Sequence, residues 1–279
     1  VLALTGSTGA LGGLVAPALA NLRPRLIVRD PTRAPRLGLE VRTATYADGA
    51  AATAALEGVE VLLMVSAAES DRRREEHRTF IAAAVRAGVR HVVYTSFVGA
   101  APDATFALAR DHHDAEAALR EAHESSGTAF TLLRDNFYLD VLPSFAGPDG
   151  ALRGPAGDGA VAAVARADVA DVLVAVLREP AAHAGATYTL TGPEALTLDD
   201  VAERAGAVLG LRLRYEPETV EEAWASRRAA YPDAPDWQLD AWVSTYTAIA
   251  DGSCAAVCDD VRRLTGHAPR TLEQALRPR

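Results

Sequence analysis

Short runs of consecutive apolar residues alternate with longer stretches whose apolar positions recur every three or four residues, and this rhythm fills the first 135 positions. The runs are Val1 to Thr5, Leu26 to Arg29, Val41 to Thr45, Val59 to Ser66, His91 to Ser96 and Phe130 to Arg134. Several lack polar alternation, as strands covered on both faces should. Between them the helical spacing predicts helices over Leu11 to Leu22, Ala51 to Glu57, Asp71 to Ala87 and Asp103 to Ser125. Phe80, Ile81, Ala84 and Val85 mark the inner face of the third, which Gly88 stops. Such alternation predicts an α/β fold, a doubly wound parallel sheet of six strands.

After Arg134 the pattern changes. A Pro/Gly-rich stretch from Pro143 to Gly159 leads to a strand and then a helix capped by Asp168, and a further strand runs from Thr187 to Thr191. Thr197 and Thr219 each open a helix with a carboxylate three residues on, the capping-box spacing. The expected organisation is a sheet domain over 1–135 and, over 136–279, a smaller and mostly helical substrate subdomain that crosses to the sheet edge.

Composition narrows the function classes. With 49% hydrophobic and 23% charged residues the chain reads as an ordinary globular protein. No apolar run approaches the roughly 20 residues that cross a bilayer, so no membrane partner is expected. Val1 to Leu4 run straight into a glycine turn with no basic start, which makes a cytoplasmic protein the expectation. A net charge of −9 argues against nucleic acid as a partner. The run Asp71-Arg72-Arg73-Arg74-Glu75-Glu76 reads as a solvated helix start, and Cys254 and Cys258, four apart in a helical stretch, as small buried thiols rather than a metal pair. No metal site is expected. All 28 positive charges are arginine, and a chain without lysine cannot form Schiff bases, a Walker phosphate loop or the Tyr-x-x-x-Lys pair of most short-chain dehydrogenases.

The strongest motif is Thr5-Gly6-Ser7-Thr8-Gly9-Ala10-Leu11-Gly12-Gly13, at the junction of the first strand and helix. Gly6 permits a tight turn, Gly9 lets the backbone approach a pyrophosphate, and Gly12 lets helix and strand pack closely, the Rossmann arrangement for a dinucleotide. The second strand ends in Arg29-Asp30-Pro31-Thr32-Arg33 where an NAD enzyme usually offers a carboxylate. Arg29 can pair with a 2′-phosphate and Arg33 can close on it, so NADP(H) is the expected cofactor; Asp30 would serve a ribose hydroxyl only by turning inward. Ser66 and Ala67 after the fourth strand, and Thr95, Ser96 and Phe97 after the fifth, should line the rest of the crevice.

Together with Ala87 to Ser96, Asp111-His112-His113-Asp114-Ala115-Glu116, Leu132 to Tyr138, Gly157-Asp158-Gly159 and Ala165 to Ala170, these motifs resemble the NmrA-like, atypical short-chain dehydrogenases, and among them the bacterial type 2 NADPH:quinone oxidoreductases. The resemblance covers nearly the whole chain. It implies an NADPH-dependent reductase that passes hydride directly to a small planar acceptor such as a quinone, or a regulator that binds NADP(H) as a redox sensor without turnover. By position it implies that Gly6, Thr8, Gly9, Ala10 and Leu11 hold the pyrophosphate and Arg29 the 2′-phosphate. Ser66, Thr95, Phe97, His112 and the Asn136-Phe137-Tyr138 turn would surround the nicotinamide. The family's Asn-Gly before the aromatics is Asp135-Asn136 here; Asn tolerates a left-handed backbone, and the carboxylate would alter the pocket. Its Gly-Asp after the third strand is Ala44-Thr45.

His112 and Tyr138 are the candidate catalytic residues. The imidazole either supplies a proton to the reduced acceptor or is held by a neighbour. Trp224, Trp237 and Trp242, with Tyr231 and Tyr246, either roof a flat acceptor or form the subdomain core. An epimerase lacks its Tyr/Lys machinery here. A homodimer is left open.

Overall fold

The computed structural model describes residues 1–277. The elements in chain order are β1 (Leu2–Leu4), α1 (Gly12–Ala18), β2 (Arg25–Val28), β3 (Val41–Thr43), α2 (Gly49–Ala55), β4 (Val61–Met64), α3 (Arg73–Arg86), β5 (His91–Phe97), α4 (Ala107–Ser126) and β6 (Ala129–Asp135). There follow β7 (Ala151–Gly154), β8 (Ala160–Val161), α5 (Arg166–Arg178), β9 (Thr187–Leu190), β10 (Leu196–Thr197), α6 (Leu198–Leu209), β11 (Arg214–Pro217), α7 (Val220–Ala230), α8 (Asp236–Ala250), α9 (Asp260–Thr265) and α10 (Leu272–Leu276). The chain forms two compact units, each discontinuous in sequence. The first comprises Val1–Phe97, Asp111–Arg134 and Val169–Tyr188; the second comprises Val98–Arg110, Asp135–Asp168 and the chain from Thr189 onward.

The seven-stranded sheet has the order β3-β2-β1-β4-β5-β6-β9, which reverses between β1 and β4. β1 pairs parallel with both β2 and β4, and β4 parallel with β5. The seventh strand, β9, extends the six read from the first 135 positions. In an open parallel sheet, ligands bind beyond the carboxyl ends of the strands where the order reverses, and the glycine turn leaves β1 at that point. The core of the first unit packs Leu62, Met64, Val92 and Tyr94 of the sheet against Phe80, Ile81 and Ala84 of α3 and Leu119 of α4. The spacing of apolar positions in α3 is what delivers Phe80, Ile81 and Ala84 to one face, and truncating a side chain such as Leu62 costs about 2–5 kcal/mol.

In the second unit β7 pairs with β11, β8 pairs with β10, and α6, α7 and α8 supply most of the helix. The capping boxes at Thr197 and Thr219 are both formed. Four local expectations are corrected. α1 stops at Ala18, one residue after Pro17, and a 3₁₀ turn continues to Leu22. α4 opens at Ala107, whose amide is taken by Ser244 Oγ at 3.0 Å, and not at Asp103. Asp168 lies inside the first turn of α5 instead of capping it; its buried carboxylate accepts from the Arg270 amide at 2.7 Å and pairs with the Arg270 guanidinium. Cys254 and Cys258 sit in an irregular segment between α8 and α9, where only Cys254 is buried. No helix among the described residues is long and apolar enough to cross a membrane.

Candidate functional site

The glycine turn is built by close approach. Gly6 has φ +67°, a left-handed conformation that glycine adopts without penalty, and its carbonyl accepts from the Gly9 amide at 2.9 Å. A Cβ on Gly12 would stand 2.3 Å from the Gly6 oxygen, so only glycine lets α1 start this close to the turn. Thr8, Gly9 and Ala10 are exposed, and the Ala10 and Leu11 amides bond to no acceptor among the described residues. Ser7 Oγ is buried without a hydrogen-bond partner. A turn with free amides, an orphaned hydroxyl and no side chain at its closest point fits a pyrophosphate.

At the end of β2, Asp30 is turned away from ligand duty. Its Oδ1 accepts from the Thr32 amide at 2.9 Å and the Thr32 hydroxyl at 2.6 Å, bonds that hold its pKa low and cap the short turn at Pro31–Arg33. Arg29 and Arg33 are exposed and form no ion pair among the described residues. Two unpaired guanidiniums beside an occupied carboxylate suit a 2′-phosphate better than a 2′-hydroxyl.

The loop after β4 is clamped from α3. The Ser66 amide donates to Thr95 Oγ1 at 2.8 Å, the Ala67 amide donates to His77 Nε2 at 2.8 Å, and the Ala67 carbonyl accepts from Arg73 Nε at 3.0 Å. Arg73 is only 3% exposed, which corrects the reading of this arginine run as solvated. Its Nη2 donates to His112 Nε2 at 3.0 Å, and His112 Nδ1 is 2.9 Å from the Tyr94 hydroxyl. Burial, and then the Arg73 charge and the neighbouring His77, hold the His112 pKa well below the usual imidazole range. His77 is pushed down to about 3 by burial and by Arg73. Both imidazoles are neutral at pH 7, and of the two roles weighed for His112 the geometry matches the residue held by its neighbours. Phe97 packs with its ring centre 6.2 Å from that of His112. Ser96, one residue from Thr95, faces the other side of β5 and donates to the buried Glu116 at 2.7 Å, inside a network that Arg134 and Arg120 complete.

In the second unit the Asn136-Phe137-Tyr138 turn follows β6. Asn136 spends both polar ends locally: Nδ2 donates to the Cys254 carbonyl at 2.9 Å and Oδ1 accepts from the Phe137 amide at 2.8 Å. The turn needs no left-handed backbone at Asn136, since Arg23 is the one non-glycine residue with positive φ among the described residues. Phe137 meets Phe106 edge to face at 5.1 Å. Tyr138 donates to Asp135 Oδ2 at 3.0 Å, while Asp135 Oδ1 is buried without a hydrogen-bond partner. Burial pushes the Asp135 pKa up to about 8, against the lowering effect of the Tyr138 bond. Asp135 therefore carries a proton at neutral pH.

Arg73, His77 and Asp135 were not among the sequence candidates. The signal for the first two lies in the inner stripe of α3: continued backward from Phe80 and Ala84 at helical spacing, it reaches His77 and Arg73.

The NAD(P)H-binding family matches residues 6–180. Quinone oxidoreductase 2 of Escherichia coli strain K12 is 34% identical over 286 residues, spanning 99% of this chain and 97% of the relative. The crystal structure of an E. coli NADPH-dependent quinone oxidoreductase complexed with NADPH superposes with a TM-score of 0.87 and 33% identity, covering 99% and 98% of the two chains. Triphenylmethane reductase of Citrobacter sp., complexed with NADP(H), gives a TM-score of 0.85 and 29% identity over 99% of each chain. With its glycine turn and reversed strand order, the chain belongs to the NAD(P)H-binding family and is an NAD(P)H-dependent oxidoreductase of the NmrA-like type.

Proposed function

We propose that the protein is an NADPH-dependent reductase that delivers hydride directly to a small planar acceptor such as a quinone. The observation that carries this reading is the state of His112, the imidazole beside the cofactor-side loop: it is neutral, with Nε2 taken by Arg73 and Nδ1 by Tyr94. Reduction of a simple ketone produces a strongly basic alkoxide and calls for a proton donor of the Tyr/Lys kind. A quinone becomes a weakly basic phenolate, so it tolerates a site without that pair. The names of the E. coli and Citrobacter relatives, a quinone reductase and a dye reductase, agree with such an acceptor.

In this reading the amides of Ala10 and Leu11 and the Ser7 hydroxyl hold the pyrophosphate, with Thr8, Gly9 and Gly12 shaping the turn, and Arg29 and Arg33 hold the 2′-phosphate. The cofactor, when bound, supplies the hydride. Arg73 and His77 fix the backbone of Ala67, and Thr95 fixes that of Ser66, so the loop keeps its shape as ligand arrives. Phe97 limits water beside His112, and Tyr138 gives its hydroxyl proton to the reduced acceptor and regains one from Asp135. Ser96 and Asn136 support the fold around these groups through Glu116 and Cys254.

The test is to titrate purified protein with NADPH and NADH, add a panel of quinones and cationic dyes, and follow nicotinamide absorbance. Oxidation of NADPH that depends on acceptor is expected. Tight NADPH binding with no turnover on any acceptor would refute the reductase and favour a redox sensor.

A further inference from the structure

The second unit carries an open pocket of about 610 Å³, within the range of roughly 300–1,000 Å³ for small-molecule sites. Phe145, Tyr231, Trp242 and Tyr246 supply aromatic walls, and Arg153 and Arg227 the charged ones. The rings are set as tilted pairs. Tyr231 meets Trp242 edge to face at 5.0 Å, and Phe145 meets Tyr246 at 6.0 Å with 54° between planes. A tilted neighbour covers at most one face of a ring, so such pairs leave aromatic faces for a further planar group. Tyr246 is held in place from behind, because a Cβ on Gly154 would lie 2.2 Å from its ring. Tyr231, by contrast, is 55% exposed at the rim, where a large ring is poorly placed for stability alone.

The charges on the wall are already answered. Arg153 pairs with Asp149 at 2.6 Å and Glu216 at 2.7 Å, and Arg227 pairs with Glu218 while its guanidinium lies 5.3 Å over the Tyr246 ring. Among the described residues no carboxylate lines the cavity. An aromatic chamber with balanced arginines selects shape and polarisability over ionic charge. A core role for the aromatic cluster does not account for it, since Trp224, Trp237 and Trp242 are all partly exposed.

We infer that this cavity binds a neutral, planar aromatic molecule by stacking on Tyr231 and Trp242. The probe is 1,4-naphthoquinone, and the reporter is Trp242 as sole tryptophan in a Trp224→Phe/Trp237→Phe chain. Saturable quenching is expected. Tyr231→Ala should weaken it about tenfold and Tyr231→Phe should restore it, with NADPH affinity as the folding control. A sulfonated naphthoquinone should bind no tighter than the neutral one. Unsaturable quenching, quenching indifferent to Tyr231→Ala, or an anionic probe preferred tenfold would overturn the inference. Saturable binding that depends on Tyr231 leaves the site standing whether or not NADPH is oxidised, and the reductase reading is decided separately by the acceptor panel.

Discussion

Arg73 Nη2 stands 3.0 Å from His112 Nε2, so the imidazole accepts on that side and keeps its proton on Nδ1, toward the Tyr94 hydroxyl. The same guanidinium donates to the Ala67 carbonyl and faces Asp111 at 3.6 Å. The guanidinium reaches these groups from three nitrogens spread over its plane, whereas an ammonium must direct all its donors from one atom. Arg73→Lys should therefore behave more like Arg73→Ala than like wild type, each losing about 2–4 kcal/mol in denaturant unfolding and binding NADPH several-fold more weakly. A lysine variant of wild-type stability would show that the fork geometry is dispensable.

Neutral His77 and His112 make the first unit acid-sensitive. Their folded pKa values lie below the unfolded value of about 6.5, so the unfolded chain binds more protons as pH falls from there toward the folded pKa of His77 at about 3. The stability they provide is complete above pH 6.5 and is lost on acidification, at up to about 1.4 kcal/mol per pH unit for each imidazole. His77→Gln, which can still accept from the Ala67 amide, should remove one such contribution. Unfolding free energies at a series of pH values from 6.5 to 4.5 decide it, and identical slopes in the two proteins would count against a buried neutral His77.

Asp135 acts in the opposite sense. Its folded pKa of about 8 lies above the unfolded value of about 3.9, so its contribution is complete below about pH 4 and is lost as pH rises through 8. Between pH 6.5 and 8 the histidines contribute no slope, and wild type should lose up to about 1.4 kcal/mol per pH unit that Asp135→Asn does not lose. The variant should also lower turnover on quinones in the same window, because the asparagine has no acidic proton to release. A parallel pH dependence in the two proteins would remove Asp135 from the proton path.

What the sequence made legible was local. The glycine turn is set by contacts within seven residues, and the boxes at Thr197 and Thr219 by contacts within three, so spacing alone found them. Arg73 escaped because a charged triplet looks the same whether all of it is solvated or one member turns inward; its partners, Ala67 and His112, stand 6 and 39 positions away. The protonation of Asp135 depends on burial that packing around β6 creates, and no pattern in the residues next to it encodes that. Asn136 was noticed for the backbone it tolerates, yet its role comes from a carbonyl 118 positions later, at Cys254.

The assignment of Arg29 predicts cofactor choice. Asp30 is committed to Thr32, and Arg29 has no carboxylate partner among the described residues, so its charge is available to a phosphate. A charge-assisted hydrogen bond is worth about 1.5–3 kcal/mol, and Arg29→Ala should weaken NADPH by roughly tenfold or more. NADH should change by no more than about twofold on the same scale. Binding titrations at low and high salt give both numbers, and the NADPH loss should shrink as salt screens the pair. Equal losses for the two cofactors would sink the 2′-phosphate role.

Two neighbouring glycines give the sharpest contrast. At Gly12 a methyl would sit 2.3 Å from the Gly6 oxygen, 2.5 Å from its carbonyl carbon and 2.9 Å from the Ser7 nitrogen, all backbone atoms with no flexible end to yield. Relief requires α1 to move off the turn that presents the Ala10 and Leu11 amides. Overpacking of this kind costs about 1–3 kcal/mol, and NADPH binding should fall by far more than stability does, since the donors lose their common focus. At Gly13 the nearest atom to an added Cβ is the Ser7 oxygen at 3.8 Å, an ordinary contact. Gly13 lies within α1, where alanine is favoured over glycine by about 1 kcal/mol. Gly13→Ala should therefore keep NADPH binding and hold or raise the melting temperature, while Gly12→Ala loses binding. If the two substitutions proved equivalent in a calorimetric titration with NADPH, the turn would not be the pyrophosphate cradle.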